Sequence, residues 1–144
     1  MSNTLTATQI DPVTVEIIRN ALTSAANDMN ATLIRSAYSP IIYEGGDCVV
    51  ALLDSEHQVL GQSAGLPLFL GNLETCSKAV EQQHGRDVRK EGDVWILNDS
   101  YLGGTHLNDV TIFAPVFVEG VLSGFAATRA HWMDMGSKDV GGSM

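Results

Sequence analysis

Two apolar runs, Val110–Val118 and Val121–Thr128, stand on either side of the dipeptide Glu119-Gly120. A two-residue connection ending in glycine commits such a pair to an antiparallel hairpin, because only a tight turn at positive φ joins strands that closely. Whatever opens the first arm is then brought opposite whatever ends the second.

The other segments read around this hairpin. Asp11-Pro12 suits a helix N-cap followed by proline at the first helical position, where its missing N–H costs nothing. Ile18, Leu22, Ala25, Met29 and Leu33 form one apolar stripe on a helix reaching Ser36, about 37 Å long. Ser39-Pro40 ends it, since the residue before proline avoids the α region. Cys48–Leu53 and His57–Gly61 flank Asp54-Ser55-Glu56 as a second hairpin. Leu70, Leu73, Ser77 and Val80 mark a second helix with Gly85 just past its end. Val94–Leu97 reads as a buried strand. The expected fold class is α+β: a long N-terminal helix packed on a mainly antiparallel or mixed sheet with a second helix. Residues 1–10 read as a flexible lead and 11–144 as a single domain.

Composition bounds the function. A chain of 144 residues is one domain's worth, and 44% hydrophobic with 17% charged residues supports a packed core. Lys and Arg number 8 against 17 Asp and Glu, a formal charge of −9. Without a basic stripe there is no footprint for a phosphate backbone or an anionic membrane surface, so neither nucleic acid nor membrane is expected as a partner. No apolar run reaches the roughly 18–20 residues that cross a bilayer, and MSNTLTATQIDP has no secretion-signal character. Two cysteines, Cys48 and Cys76, make no disulfide framework; reduced thiols and a cytoplasmic location are expected. Neither is an activated nucleophile: Cys76 lies within the second helix, and Asp47 beside Cys48 raises a thiol pKa. No G-x-S-x-G elbow or lysine-bearing phosphate loop is present, so this chain shows no ATP site of its own.

An acidic chain can instead surround a cation. The segment Asn98–Asp109 carries His106 and Asp109 three residues apart, and His131 and Asp134 repeat that spacing at the end of the second hairpin arm. Imidazole nitrogen and carboxylate oxygen suit zinc, manganese or iron. The hairpin carries all four residues to one rim. The plainer alternative stands beside this: Asp109 opening a turn through its own backbone, and His131 as a packed core histidine. His57, in a hairpin, and His84, near a helix C-terminus, read as structural.

The runs Asp11–Ile18, Arg35–Glu44, Asp47–Asp54 and above all Gly92–Val110, with N-D-x-Y-x-G-G-T-H-L-x-D, resemble the hydantoinase B/oxoprolinase family, which includes the metal-bearing large subunits of acetone and acetophenone carboxylases. The resemblance implies a divalent metal held by Asp47, His106, Asp109 and His131. Two neutral imidazoles and two carboxylates would cancel a 2+ charge. Asp134 is the candidate catalytic residue, open between a further ligand, a group orienting a ligand and a general base. The family further implies a hydantoinase A-like partner subunit that uses ATP, and a cyclic amide or ketone as substrate. A Lewis-acid ion serves hydrolysis or carboxylation alike. Family members are several times longer than 144 residues, so the chain reads as their amino-terminal portion, inactive alone. The alternative is a truncated, non-catalytic member with only an assembly role.

Overall fold

The computed structural model describes residues 11–65, 69, 71–86, 89–136 and 138. The lead, Leu70 and the glycine-rich end lie outside them. Helix α1 runs Pro12–Ser36, and its Asp11 cap accepts from the backbone N–H groups of Val13 (3.2 Å) and Thr14 (3.3 Å). A short helix α2, Pro40–Tyr43, begins at the proline that stops α1. Strands β1 (Cys48–Asp54) and β2 (Val59–Gln62) form the first hairpin, and helix α3 spans Asn72–His84. Strand β3 (Trp95–Leu97), a 3-10 turn (Ser100–Leu102), β4 (Asp109–Val118) and β5 (Val121–His131) complete the chain.

The five strands form one sheet in the order β2-β1-β5-β4-β3, every neighbouring pair antiparallel. The fold is α+β, and among the described residues the sheet has no parallel pair. The central turn is as expected: Glu119 (φ 51°) and Gly120 (φ 78°) both take positive φ, the signature of a type I′ connection. Period-two alternation then sorts the side chains. Val49, Ala51 and Leu53 of β1, Phe113 of β4, and Phe125 and Ala127 of β5 meet Leu73 and Cys76 of α3 in the main core. Burying each large aliphatic or aromatic side chain there contributes about 1.5–3 kcal/mol. On the opposite face, Cys48 and Ala130 pack with Ile42, Leu33 and Ile34 beneath α1 and α2.

Two sequence expectations shift. Helix α1 seats on the sheet through Ala26, fully buried, with Leu22, Met29 and Leu33 half-buried, while Ala25 and Ile18 face solvent. Its first ten residues carry no buried side chain, so the stripe works only along the helix's second half. The run Val94–Leu97 is an edge strand rather than a buried one: it pairs only with β4, and Val94 and Ile96 are exposed. An apolar run looks alike in both settings, and only the sheet order distinguishes them.

Candidate metal centre

The segment between β3 and β4 is tied down by its own side chains. Asn98 donates from Nδ2 to the carbonyls of Leu107 (2.8 Å) and Asp109 (2.9 Å), and Asp99 caps the 3-10 turn by accepting from Tyr101 N–H at 2.8 Å. Gly104 is required by space: a Cβ there would stand 2.4 Å from Ser100 Cα. The loop therefore folds back on itself and delivers His106 beside the first residue of β4.

That residue, Asp109, is the hub. Its carboxylate is fully buried, and its Oδ2 accepts from the backbone N–H groups of Thr105 (3.2 Å) and His106 (2.9 Å) and from the Thr105 hydroxyl. Its Oδ1 lies 3.0 Å from His131 Nδ1. Burial would raise its pKa, but the hydrogen bonds from Thr105, His106 and His131, together with the nearby Arg129 charge, hold it below the ordinary value. Asp109 is thus a carboxylate in the folded chain, ready to accept or to ligate.

The sheet aligns the partners. Asp109 is the cross-strand partner of His131, and the carbonyl of Asp47 accepts from His131 N–H at 3.1 Å, extending the β1–β5 ladder by one residue. Asp47, His131 and Asp109 therefore lie in one row across three neighbouring strands. The rings of His106 and His131 meet edge to face, centroids 5.3 Å apart, and His106 is the exposed member. One ligating atom from each of His106, Asp109 and His131 lies within 4.8 Å of the others. That separation can close on one small cation with side-chain adjustment alone.

The structure thus brings together three of the four residues expected as ligands. Asp47 stands outside the cluster, although its Oδ1 is buried with no hydrogen-bond partner among the described residues. Asp134 lies in the exposed segment after β5, where its Oδ1 accepts from Gly136 N–H at 2.8 Å; it is not part of the cluster. His57 sits elsewhere, buried, with Nδ1 2.5 Å from the Ser77 hydroxyl, Nε2 against Glu81 and its ring stacked on Phe125. His84 packs on Trp95.

Two neighbours of the cluster escape a reading by motif. Asn108 is buried; its Nδ2 donates to Trp132 O at 2.6 Å while Trp132 N–H donates to its carbonyl at 2.9 Å, so it fastens the end of β5 next to His131. Arg129 is buried on the same sheet face as His131, two residues before it on β5. Alternation within the strand was the only available signal for it, because a buried arginine has no sequence mark of its own.

Comparison with known proteins places the chain as a whole. The profile of the hydantoinase B/oxoprolinase family matches residues 11–144, and the chain belongs to that family. A 5-oxoprolinase of Saccharomyces cerevisiae is 34% identical over 128 residues, 88% of this chain and 10% of the relative. The crystal structure of an ATP-dependent caprolactamase from Pseudomonas jessenii superposes with a TM-score of 0.76 at 30% identity, covering 91% of this chain and 22% of that one. An acetone carboxylase in its nucleotide-free form shares the fold, with a TM-score of 0.80 at 24% identity over 89% of this chain and 17% of that one. The chain spans about a quarter or less of the length of the curated relatives it matches. Among the described residues, no helix is long and apolar enough to cross a membrane.

Proposed function

We propose that this chain is the metal-bearing portion of an ATP-dependent enzyme that opens cyclic amides or carboxylates ketones. The observation that carries the reading is the convergence of His106, Asp109 and His131, one ligating atom each within 4.8 Å. The donor set suits a divalent cation of the manganese, zinc or iron type. Asp47 supports the assignment as a fourth ligand: it neighbours His131 across the ladder, and its buried Oδ1 lacks a partner among the described residues. A carboxylate oxygen in that condition calls for a donor or a cation. With Asp109 it supplies the two negative charges that balance a 2+ ion.

Such an ion would act as a Lewis acid toward a substrate oxygen or water. The chain's own residues do the remaining work. Asp109 orients the His131 ring through its Oδ1 and fixes the His106 backbone through its Oδ2. Asp134, exposed beyond His131, is assigned as the acid–base group that exchanges a proton with substrate. The family resemblance implies that ATP is used by a hydantoinase A-like partner subunit. The partner would hand over the activated cyclic amide or ketone, and the complex would reside in the cytoplasm.

Elemental analysis of the purified chain tests the reading, beside a His106→Ala, Asp109→Ala double variant whose fold is checked by circular dichroism. About one equivalent of manganese, zinc or iron in the parent chain and little in the folded double variant is expected. Equal metal content in the two would overturn it.

A further inference from the structure

Arg129 is the one guanidinium buried beside the proposed centre among the described residues. Its side chain is 1% exposed. One arm, Nη1, donates to the carbonyl of Gly103 at 3.0 Å. The other, Nη2, lies 3.7 Å from Asp109 Oδ2, and the guanidinium carbon stands 5.4 Å from the centre of the Phe69 ring. A cation taken out of water has to be met by acceptors, and those found here belong to the loop that carries His106. Gly103 is on the approach to His106 and Asp109 is at the exit. The fork therefore spans the loop, and Asp109 passes the restraint on to the backbone N–H groups of Thr105 and His106.

Electrostatics alone would make this placement harmful. A fixed positive charge beside a cation site repels the cation, so a neutral side chain would tighten metal binding if charge were all that counted. The geometry points to the opposite sign. We propose, on the footing of the metal reading above, that Arg129 is a positioning residue. It holds residues 103–109 so that His106 and Asp109 already stand beside His131 when a divalent cation arrives. Lysine cannot replace it fully, because a single ammonium does not present two arms in the fixed directions that Gly103 and Asp109 occupy.

The test compares the full chain with Arg129→Met and Arg129→Lys, using Mn2+ as the probe and electron paramagnetic resonance of the free ion to measure affinity. Arg129→Met is expected to weaken Mn2+ binding about 10-fold or more, the usual effect of removing a residue that orients a ligand, with Arg129→Lys in between. The second readout needs no metal. Amide hydrogen exchange at Thr105 and His106 in the metal-free chain should quicken at least about 10-fold in Arg129→Met, while the β1–β5 ladder keeps its protection. Tighter or unchanged Mn2+ binding with unchanged exchange would overturn the proposal. If Arg129→Met does not fold, Arg129→Lys decides on the same two measurements. Should the parent chain take up no Mn2+, Zn2+ or Fe2+, the metal reading falls; exchange at Thr105 and His106 then decides separately whether Arg129 holds the loop.

Discussion

His131 and Asp109 face each other across β5 and β4, with Nδ1 3.0 Å from Oδ1. Connectivity sets the contact in two steps: the Glu119-Gly120 turn pairs Val118 with Val121 and Phe117 with Leu122, and a one-residue register shift at Ser123 then moves every later pair by one, from Val116–Gly124 onward. The first residue of β4 is thereby set against the last residue of β5. Asp47 joins the same row because β1 pairs on the other side of β5. Two strands thus supply the floor of the cluster, Asp109 and His131, while His106 arrives from the loop before β4.

Asn108 sets how firmly that floor is closed. Its buried side chain donates to Trp132 O at 2.6 Å, and the Asn108 backbone carbonyl accepts from Trp132 N–H. Asn108→Ala removes the side-chain donor to the part-buried Trp132 carbonyl and leaves only the backbone pair, at a cost of about 1–3 kcal/mol. We expect a loss of that size in urea unfolding at neutral pH, with the slope on denaturant unchanged. A loss under 0.5 kcal/mol, at the scale of an ordinary surface change, would mean the clamp contributes little.

The loop has its own checkpoint at Gly104. A Cβ there would lie 2.4 Å from Ser100 Cα, a backbone-bound atom that cannot swing aside. Gly104→Ala must therefore displace the Ser100–Leu102 turn, at about 1–3 kcal/mol. Reduced protection of the Thr105 and His106 amides should accompany the drop in thermal midpoint. An alanine variant with unaltered midpoint and unaltered exchange would contradict the close approach.

Acid titration probes a second network, remote from the proposed centre. Burial would raise the Glu81 pKa, yet hydrogen bonds from His57, Arg86 and Arg89 bring it down from 4.5 to about 2. A depressed carboxylate pKa stabilises the fold fully above the unfolded value, and that contribution disappears as pH falls from about 4.5 to about 2. Glu81→Gln should therefore be least stable relative to the parent at pH 6–7, with the two stability curves converging toward pH 2. Parallel curves across that window would show that Glu81 titrates normally.

The sequence was legible where the signal is local and periodic. The central hairpin, the Asp11 cap, Gly85 after α3 and the spacing of His106 with Asp109 all declare themselves within a few residues. Reading failed where position depends on what lies next door in space. Ala26 rather than Ala25 seats α1, because the helix leaves the sheet along its first ten residues and the stripe is set by the remaining half. The run Val94–Leu97 reads as a buried strand, but among the described residues no sixth strand covers the outer edge of β3. Arg129 belongs to no motif and Asn108 fills an open position of one; both are buried beside His131, which is a tertiary fact.

The two thiols offer a last check on how the layers pack. Cys48 and Cys76 are each 1% exposed, on opposite faces of the sheet: Cys48 under α2 with Ile42, Cys76 from α3 against the main core. Desolvation raises both pKa values above 9.0; Asp47 adds to the rise at Cys48, and the Arg129 charge partly opposes it at Cys76. Thiolate is the reactive form, so at pH 8 both should be slow toward iodoacetamide in the native chain and fast in guanidinium. Intact-mass measurement over an hour at 25 °C reads the difference, with no adduct expected on the native chain and two on the unfolded one. Rapid single labelling of the native chain would identify which layer opens: modification at Cys48 would place the opening under α2, and modification at Cys76 would place it between α3 and the loop whose Leu102 carbonyl accepts from its thiol at 3.4 Å.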